Sequence, residues 1–308
     1  MTRDEKYIAR IIFKNKIYAA DKQAYEDLFT IVKQNEDTNF KQVKPQGRIG
    51  DGKCDGFNSL KGEYYQVYAP ESLEGKEDKA KTKMTDSIIG LVDFWTKNNF
   101  EVKKFYFVIK DNYKHVYASL YANAKTISID YKIECEILTC KDLEDVFMKL
   151  DEDKMTDVLG CIIPNPLNIE NVEYSIMQEV IDFLLNRNVP KVIEVIPLNP
   201  DFKKKIIFNK LSEAVSDFLN AGQRLNFIVK DYFEINSKFI KVELREAFNS
   251  IYQQAVIEIP ESDTKNDEVF QFIVNKSSPK NNFAFQSAVY VLMAYYFEYC
   301  DIFETPNL

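Results

Sequence analysis

The chain has 308 residues, 45% of them hydrophobic and 14% aromatic, which is enough for one large or two ordinary domains with buried cores. No apolar run approaches the roughly 20 residues that span a bilayer, and the first residues form no signal peptide, so we expect a cytoplasmic protein without membrane contact. The net charge is −8, with one histidine and five cysteines. These counts exclude H-E-x-x-H zinc sites and two-histidine phosphodiesterases, and the absence of a C-x-x-C pair predicts reduced, structural thiols. Hydrolytic chemistry would therefore rest on carboxylates and a hard metal ion.

In the first half of the chain, apolar residues change repeatedly between helical and strand spacing. The predicted elements are, in chain order, a helix over 18–34, a glycine-rich turn segment over 45–62, a strand over 63–70, a helix over 84–98, a strand over 102–110, a helix over 115–128, a strand over 133–139 and a helix over 140–150. The one histidine, His115, begins the third of these helices, where a structural role is favoured. The alternation predicts an α/β sandwich over about the first 150 residues.

The second half of the chain is predicted to be helical after a linker, PNPLN, at 164–168. Its predicted helices cover 171–187, 201–222, 226–236, 237–255 and 281–300, each with apolar residues spaced for one buried face. The charge also differs between the halves. Residues 1–150 contain 25 Lys/Arg against 24 Asp/Glu, a net of +1, and residues 151–308 contain 15 against 24, a net of −9. Because an acidic surface binds DNA poorly, we assign the second half to protein contacts.

The glycine-rich segment partly matches a nucleotide-binding P-loop. Residues 47–54, GRIGDGKC, fit G-x-x-x-x-G-K but carry Cys54 where Ser or Thr would bind Mg²⁺. A P-loop follows an apolar strand and opens into a helix, whereas this segment follows KQVKPQ and runs into another turn. A nucleotide-binding regulator that depends on Lys53 is therefore the lesser alternative.

The acids of the same segment fit a second pattern. In PD-(D/E)xK nucleases an Asp begins one strand of a hairpin, and the next strand carries an acid and a Lys two residues apart, so that both face the same way. Here Asp55 would be the aspartate, Gln66 and Tyr68 the same-face pair, and Glu26 on the first helix the source of a further carboxylate. The five basic residues between 41 and 61 fit a phosphate-bearing substrate, although a solvated basic loop is the ordinary explanation of such a cluster.

A resemblance to a known family supports this pattern. A helix glutamate, GDGKCDGF, a short turn, EYYQVYAPES and a Lys-rich helix, in that order, resemble PD-(D/E)xK effectors of bacterial ABC three-component anti-phage systems, the group that includes Lamassu. In the second half, VEYSIMQEVIDFLL, FNKLSEAVSDFLNAG and VKDYFE are similar to the domain that closes effector subunits of those systems. The resemblance implies an α/β restriction-endonuclease-like domain over 1–163 and a mostly α-helical, partner-docking domain over 164–308.

The resemblance also implies an activity and partners. Such a subunit is a Mg²⁺-dependent deoxyribonuclease, with Mn²⁺ as an alternative ion. It is held by an SMC-like ATPase and a small third subunit, and it cuts DNA when the complex senses invading DNA. By this carry-over Glu26, Asp55 and Gln66 would be metal ligands, and Asp51 a further ligand or a supporting acid. Whether the subunit acts as a monomer or forms a homo-oligomer on activation is left open.

The sequence departs from the family pattern at two positions. Tyr68 stands where the strand lysine is expected, and a neutral phenol supplies no positive charge at pH 7. Gln66 offers an amide oxygen where many relatives have a carboxylate. In one interpretation Lys83, or else Lys81, reaches over from the following helix. In the other, the domain has lost catalysis and is an adaptor that only binds nucleic acid or partners. The first is favoured because both acids and the Lys-rich helix are present.

Overall fold

The computed structural model describes residues 1–44, 52–187, 201–299 and 302–306. It divides into two compact units. We call Lys16–Val158 the α/β unit, and Met1–Asn15 together with Leu159–Leu308 the helical unit. The predicted domain bounds of 1–163 and 164–308 stay a prediction.

The secondary structure consists of helices and a few short strands. The helices are α1 Arg3–Ala19, α2 Gln23–Glu36, α3 Glu77–Lys97, α4 Ala118–Tyr131, α5 Cys140–Phe147, α6 Glu152–Leu159, α7 Tyr174–Leu185, α8 Phe202–Phe208, α9 Glu213–Arg224, α10 Asn226–Ile235, α11 Lys238–Glu258, α12 Lys265–Ser277 and α13 Phe283–Glu298. The strands are β1 Lys41–Gln42, β2 Gly56–Asn58, β3 Glu63–Tyr68, β4 Lys104–Ile109 and β5 Glu134–Leu138. Within the described residues, no helix is both long enough and apolar enough to span a membrane.

The α/β unit contains one sheet with the strand order β1-β2-β3-β4-β5. The first three strands pair in antiparallel fashion, and β4 and β5 continue the sheet in parallel with β3. The chain passes through α3 between β3 and β4, and through α4 between β4 and β5, as parallel pairing requires. The predicted mixed α/β architecture is confirmed for this part of the chain, whereas its restriction-endonuclease-like character stays a prediction.

One face of the sheet is covered by α3 and α4. Side chains alternate across a strand, so Tyr64 of β3 and Phe105 and Phe107 of β4 all point to this face, and all three are fully buried. Met84, Ile88 and Leu91 of α3 belong to the same core, as their spacing of four and three residues predicts. This face is therefore the main hydrophobic core of the α/β unit.

The opposite face of β3 is contacted by α2. The ring of Phe29 lies 5.6 Å from that of Tyr65, and the Lys33 ammonium lies 4.9 Å above the Tyr65 ring. Tyr65 is one residue from Gln66 in a regular strand, so the two side chains point to opposite faces. The two helices α2 and α3 thus lie on different sides of β3.

The helical unit is built around α13, whose residues from 285 to 297 are all buried. It packs against α7, α9 and α10. The first residues of the chain belong to this unit because they contact α12. The Tyr7 hydroxyl donates to Asp267. Lys14 forms a 2.9 Å ion pair with the fully buried Glu268. The mostly helical character of the second half is confirmed.

Several predicted elements need correction. The helix predicted over 18–34 is interrupted, because α1 ends at Ala19 and Lys22 adopts a positive φ of 51° before α2 begins. The helix predicted over 201–222 is two helices, since Lys210 has a φ of 50° and Ser212 caps α9. His115 lies at an exposed position with a φ of 68° in the loop before α4, and not within the helix.

Candidate functional site

The strand hairpin brings Asp55 and Gln66 side by side. Gly56 pairs with Tyr65, so the residue before β2 lies opposite the residue after Tyr65. Gln66 Nε2 donates to Asp55 Oδ2 at 2.5 Å, and the backbone N–H of Val67 donates to the same oxygen at 2.6 Å. Both side chains are buried, at 6% and 3% exposure. The carboxylate is therefore held in one orientation by two donors from β3.

The amide oxygen of Gln66 is the unusual atom of this pair. It is buried and has no hydrogen-bond partner among the described residues. A buried acceptor without any partner costs about 1–3 kcal/mol, so this oxygen calls for a water, an ion or another bound group. An amide oxygen beside a carboxylate is a donor set that suits Mg²⁺ or Mn²⁺. The pair therefore fits part of a hard-metal site.

The pair alone is not a complete metal site. Across the described part of the chain, no group of three or more His, Cys, Asp or Glu side chains is arranged to hold a metal ion. Mg²⁺ keeps several waters and is commonly bound through one or two carboxylates together with substrate phosphates. Asp55 and Gln66 would need water, a phosphate or another predicted ligand to complete the coordination.

The two other predicted ligands are Asp51 and Glu26. Asp51 lies outside the described residues. Glu26 is half-buried on α2, the helix whose Phe29 packs on the face of β3 opposite to Gln66. The metal-binding roles of both residues stay predictions.

Tyr68 lies at the end of β3 on the same face as Gln66. Its ring stacks on Phe107 with the centroids 5.8 Å apart. Burial raises the pKa of the Tyr68 phenol above its ordinary value, so the group is neutral at pH 7. Tyr68 thus cannot supply the positive charge of the missing strand lysine.

The two lysines predicted to replace it occupy the first turns of α3. Lys81 forms ion pairs with Glu77 at 2.8 Å and with Asp78 at 3.6 Å, so its ammonium is engaged on the helix surface. Lys83 is half-buried and lies four residues before Ser87, on the same side of the helix. Ser87 is 1% exposed, and its hydroxyl has no partner among the residues that the structure describes.

The P-loop alternative loses its main structural requirement. Lys53 and the following residues lead into β2, so no helix begins after this lysine. A P-loop depends on the N–H groups and the positive dipole end of such a helix to bind phosphate. The described part of the glycine-rich segment, from Gly52 onward, is a turn that precedes β2.

A buried lysine that the sequence analysis did not single out follows β4. Lys110 is 2% exposed, and its Nζ donates to Asp21 at 2.5 Å and to the Tyr18 carbonyl at 3.3 Å. Because Ile109 faces the α3 side, Lys110 points to the opposite side of the sheet from Gln66. It fixes the turn between α1 and α2. The signal in the sequence was a Lys-Asp pair directly after an apolar strand.

These features define a two-part protein: a mixed α/β unit with a buried Asp-Gln pair on a strand hairpin, and a unit of packed helices. Residues 175–304 match the family model described as C-terminal domain 10 of the ABC-three component (ABC-3C) systems. This match supports membership of the chain in such a defence system. No curated protein and no solved structure matched the chain.

Proposed function

We propose that the chain is a metal-dependent DNA endonuclease effector of an ABC three-component defence system. The observation that carries this proposal is the buried Gln66 Oε1, which has no partner in the described residues and lies beside the fixed carboxylate of Asp55. A site of this kind is expected where a divalent cation and a phosphate oxygen meet.

The order of the strands gives a second line of support. The PD-(D/E)xK pattern requires a hairpin whose first strand begins with an aspartate and whose second strand presents a ligand beside it. Here β2 and β3 form that hairpin, and β4 then extends the sheet in parallel with β3. This strand order supports the proposal, because the restriction-endonuclease-like assignment expects its two strand ligands on such a hairpin.

The chemistry follows from what these side chains can do. A bound Mg²⁺ would lower the pKa of a coordinated water and polarise the phosphate. Asp55 and Gln66 would hold that ion, with Val67 N–H fixing the carboxylate. In the hydrolysis the oxygen of a water forms a new bond to phosphorus and the water loses a proton. The bond from phosphorus to the leaving oxygen breaks, and that oxygen takes up a proton.

The partners are proposed from the family match and from charge. The matched segment, 175–304, lies in the acidic half of the chain, which carries a net −9 over 151–308. We assign this half to an SMC-like ATPase and a small third subunit, which would hold the effector until DNA is sensed. The DNA substrate is assigned to the α/β unit.

The direct test is cleavage of supercoiled and linear plasmid at low salt, with Mg²⁺ or Mn²⁺ and with EDTA. We expect metal-dependent cutting that Asp55→Asn and Gln66→Ala each reduce by on the order of 100-fold. Asp93→Asn, an exposed α3 aspartate paired with Lys97, is the matched control and should cut normally. Cutting that survives both site variants would place the activity elsewhere. An inactive chain should be retested with its partner subunits and ATP.

A second function is favoured by two specific residues. Gln66 and the neutral Tyr68 stand where an acid and a lysine are expected, as in a nuclease fold that has become a catalytically inactive adaptor. The adaptor would bind DNA or partners without metal-dependent cutting. DNA binding together with intact plasmid, in the presence of all subunits and Mn²⁺, would favour it over the nuclease.

A further inference from the structure

The turn before β2 is attached to α3. The indole Nε1 of Trp95 donates to the Gly52 carbonyl at 3.1 Å. Gly52 has a φ of 63°, and a Cβ at this position would lie 2.8 Å from the Phe94 ring. The turn therefore approaches the last part of α3 as closely as a glycine allows.

The next residue extends its side chain across the same helix. Lys53 lies over Gly90, where an added Cβ would be 2.6 Å from Lys53 Cγ and 3.4 Å from Lys53 Cε. Any larger residue at position 90 would displace the aliphatic stem near its base. The small residue in α3 thus creates the space in which the Lys53 stem lies.

This places Lys53 in the same layer as the Asp55-Gln66 pair. Trp95 of α3 contacts Phe57 and Tyr64, with ring centroids 4.6 and 5.1 Å away. Phe57 is two residues after Asp55, and Tyr64 is two residues before Gln66. Because alternate residues of a strand face the same way, all four side chains share one face. Two residues of extended chain span at most about 7 Å, a distance that a lysine side chain can bridge. The ammonium of Lys53 is therefore within reach of a phosphate bound at the pair.

The layer also contains an unsatisfied polar atom on α3. Ser87 precedes Gly90 by three residues, so the two positions are neighbours on the helix surface. Its hydroxyl is buried, and the described residues provide no hydrogen-bond partner for it. Together with Gln66 Oε1, two buried polar groups lie on the side of the sheet that faces α3.

We infer that Lys53 supplies the positive charge that Tyr68 cannot, and that it contacts the phosphate held at Asp55 and Gln66. This inference rests on the proposed function and names a different lysine from Lys83 or Lys81. The Lys81 ammonium is already bound by Glu77. Lys53 combines a stem that packs on Gly90 with a position two residues from the aspartate.

The experiment compares Lys53→Met and Lys53→Arg with Lys83→Met in the full chain together with its partner subunits. Plasmid cleavage with Mn²⁺ is one readout. We expect Lys53→Met to lower the cleavage rate by on the order of 100-fold, Lys53→Arg to recover part of it, and Lys83→Met to cut normally. Mn²⁺ affinity, measured by calorimetry, should not fall in Lys53→Met, because the lysine binds the phosphate and not the ion.

Binding of a short DNA duplex with Ca²⁺ in place of Mn²⁺ provides a readout that needs no cleavage. Lys53→Met should weaken binding and reduce the salt dependence by about one phosphate contact, and Lys83→Met should change neither. Normal DNA binding and normal cutting by Lys53→Met would overturn the inference, as would losses confined to Lys83→Met. The wild-type complex could fail to cut DNA while Lys53→Met still reduces the salt dependence of DNA binding by about one phosphate contact. That result would contradict the proposed nuclease activity and support the contact between Lys53 and a phosphate.

Discussion

The amide of Gln66 stabilises the buried aspartate in a way that an acid could not. Gln66 Nε2 is a donor 2.5 Å from Asp55 Oδ2, whereas a glutamate would bring a second negative charge to the same place. Two carboxylates in contact cannot both ionise without a cation between them. The residue that departs from the PD-(D/E)xK pattern therefore stabilises the buried Asp55 carboxylate without a cation.

Gln66→Glu should make stability depend on a metal ion. In EDTA we expect the free energy of unfolding to fall by about 2 kcal/mol, because the donor is lost and a like charge is added. Mn²⁺ should restore most of this loss if the pair binds it. Urea unfolding with EDTA or Mn²⁺ measures both values. Gln23→Glu is the matched control, since Gln23 also donates to an aspartate, Asp27, but on an exposed helix face. Equal responses to Mn²⁺ in both variants would contradict a metal site at Gln66.

A second residue-scale prediction concerns Asp267 in the helical unit. It accepts hydrogen bonds from the Tyr7 hydroxyl and from Ser212 N at 3.0 Å, and burial raises the pKa of its carboxyl above the ordinary 3.8. The folded state therefore binds this proton more readily than the unfolded state. Its contribution to stability is present below pH 3.8 and is lost as the pH rises through the folded-state pKa.

Asp267→Asn removes this titration. As the pH rises above about 4, the wild-type free energy of unfolding should decline relative to that of Asp267→Asn, because the carboxylate ionises in the folded wild type. Urea unfolding at several pH values gives the difference. Asp263→Asn, at an exposed position in the preceding turn, should leave the wild-type pH dependence unchanged. A difference that stays constant over this range would show that Asp267 does not titrate there.

At the scale of elements, α3 contacts the turn that precedes β2 through Gly52, whose carbonyl accepts from the Trp95 indole. Gly52→Ala would meet both a strained φ of 63° and a contact of 2.8 Å with Phe94. Gly75 is a matched control, because its φ is 67° and nothing lies within 4 Å of an added Cβ. We expect Gly75→Ala to cost about 1 kcal/mol in the free energy of unfolding and Gly52→Ala to cost about 2 kcal/mol more. If both variants lost the same free energy of unfolding, the turn before β2 would be able to move away from α3 without cost.

The elements that could be predicted from the sequence are those whose own periodicity matches their burial. β3 and β4 are aromatic and apolar runs, and each was recognised within two residues of its observed bounds. The helix predicted over 84–98 was recognised from its apolar spacing, but α3 begins seven residues earlier, at Glu77, because its first turns are charged. α12 was missed because it buries Asp267, Glu268 and Gln271 among its apolar residues, which hides an amphipathic pattern. Local patterning gave only a turn segment where β2 lies, and the strand was implied only by the PD-(D/E)xK hairpin pattern, because the three residues GFN are too few to show a period of their own.

In the candidate site, too, the features set by nearby sequence could be predicted, and those set by the packing of distant segments could not. The nearness of Asp55 and Gln66 could be expected from the spacing of the two segments, because a hairpin is short-range structure. The position of the Lys53 side chain could not be expected from the sequence. It depends on how α3 packs on the sheet and on Gly90, which is 37 residues away along the chain. The sequence pattern led to Lys83 because that lysine belongs to the helix, whereas the close packing of Lys53 is visible only in three dimensions.

At the scale of the whole molecule, the compact helical unit is larger than the segment that matches the family model. The match covers residues 175–304, whereas the unit also includes Met1–Asn15 and the residues from Leu159 onward. The first residues contribute buried polar contacts to α12. Lys14 pairs with the buried Glu268, and Asn15 Nδ2 donates to the Glu268 carbonyl at 3.1 Å. An isolated second half would leave Glu268 without this cation.

We therefore expect a fragment of residues 159–308 to be poorly folded alone and to be stabilised by a peptide of residues 1–19. A buried acid that loses its cation is strongly destabilising, by about 3–5 kcal/mol. Hydrogen exchange should show α12 weakly protected in the fragment and well protected once the peptide binds. A peptide with Lys14→Met should bind at least about tenfold more weakly, since each 1.4 kcal/mol is a factor of ten. Lys6→Met, at an exposed position of the same helix, should bind as the unchanged peptide does. Full protection of α12 in the fragment without any peptide would show that the N-terminal residues are dispensable for the helical unit. The stability of that unit would then come from the family-matched segment and its neighbours alone.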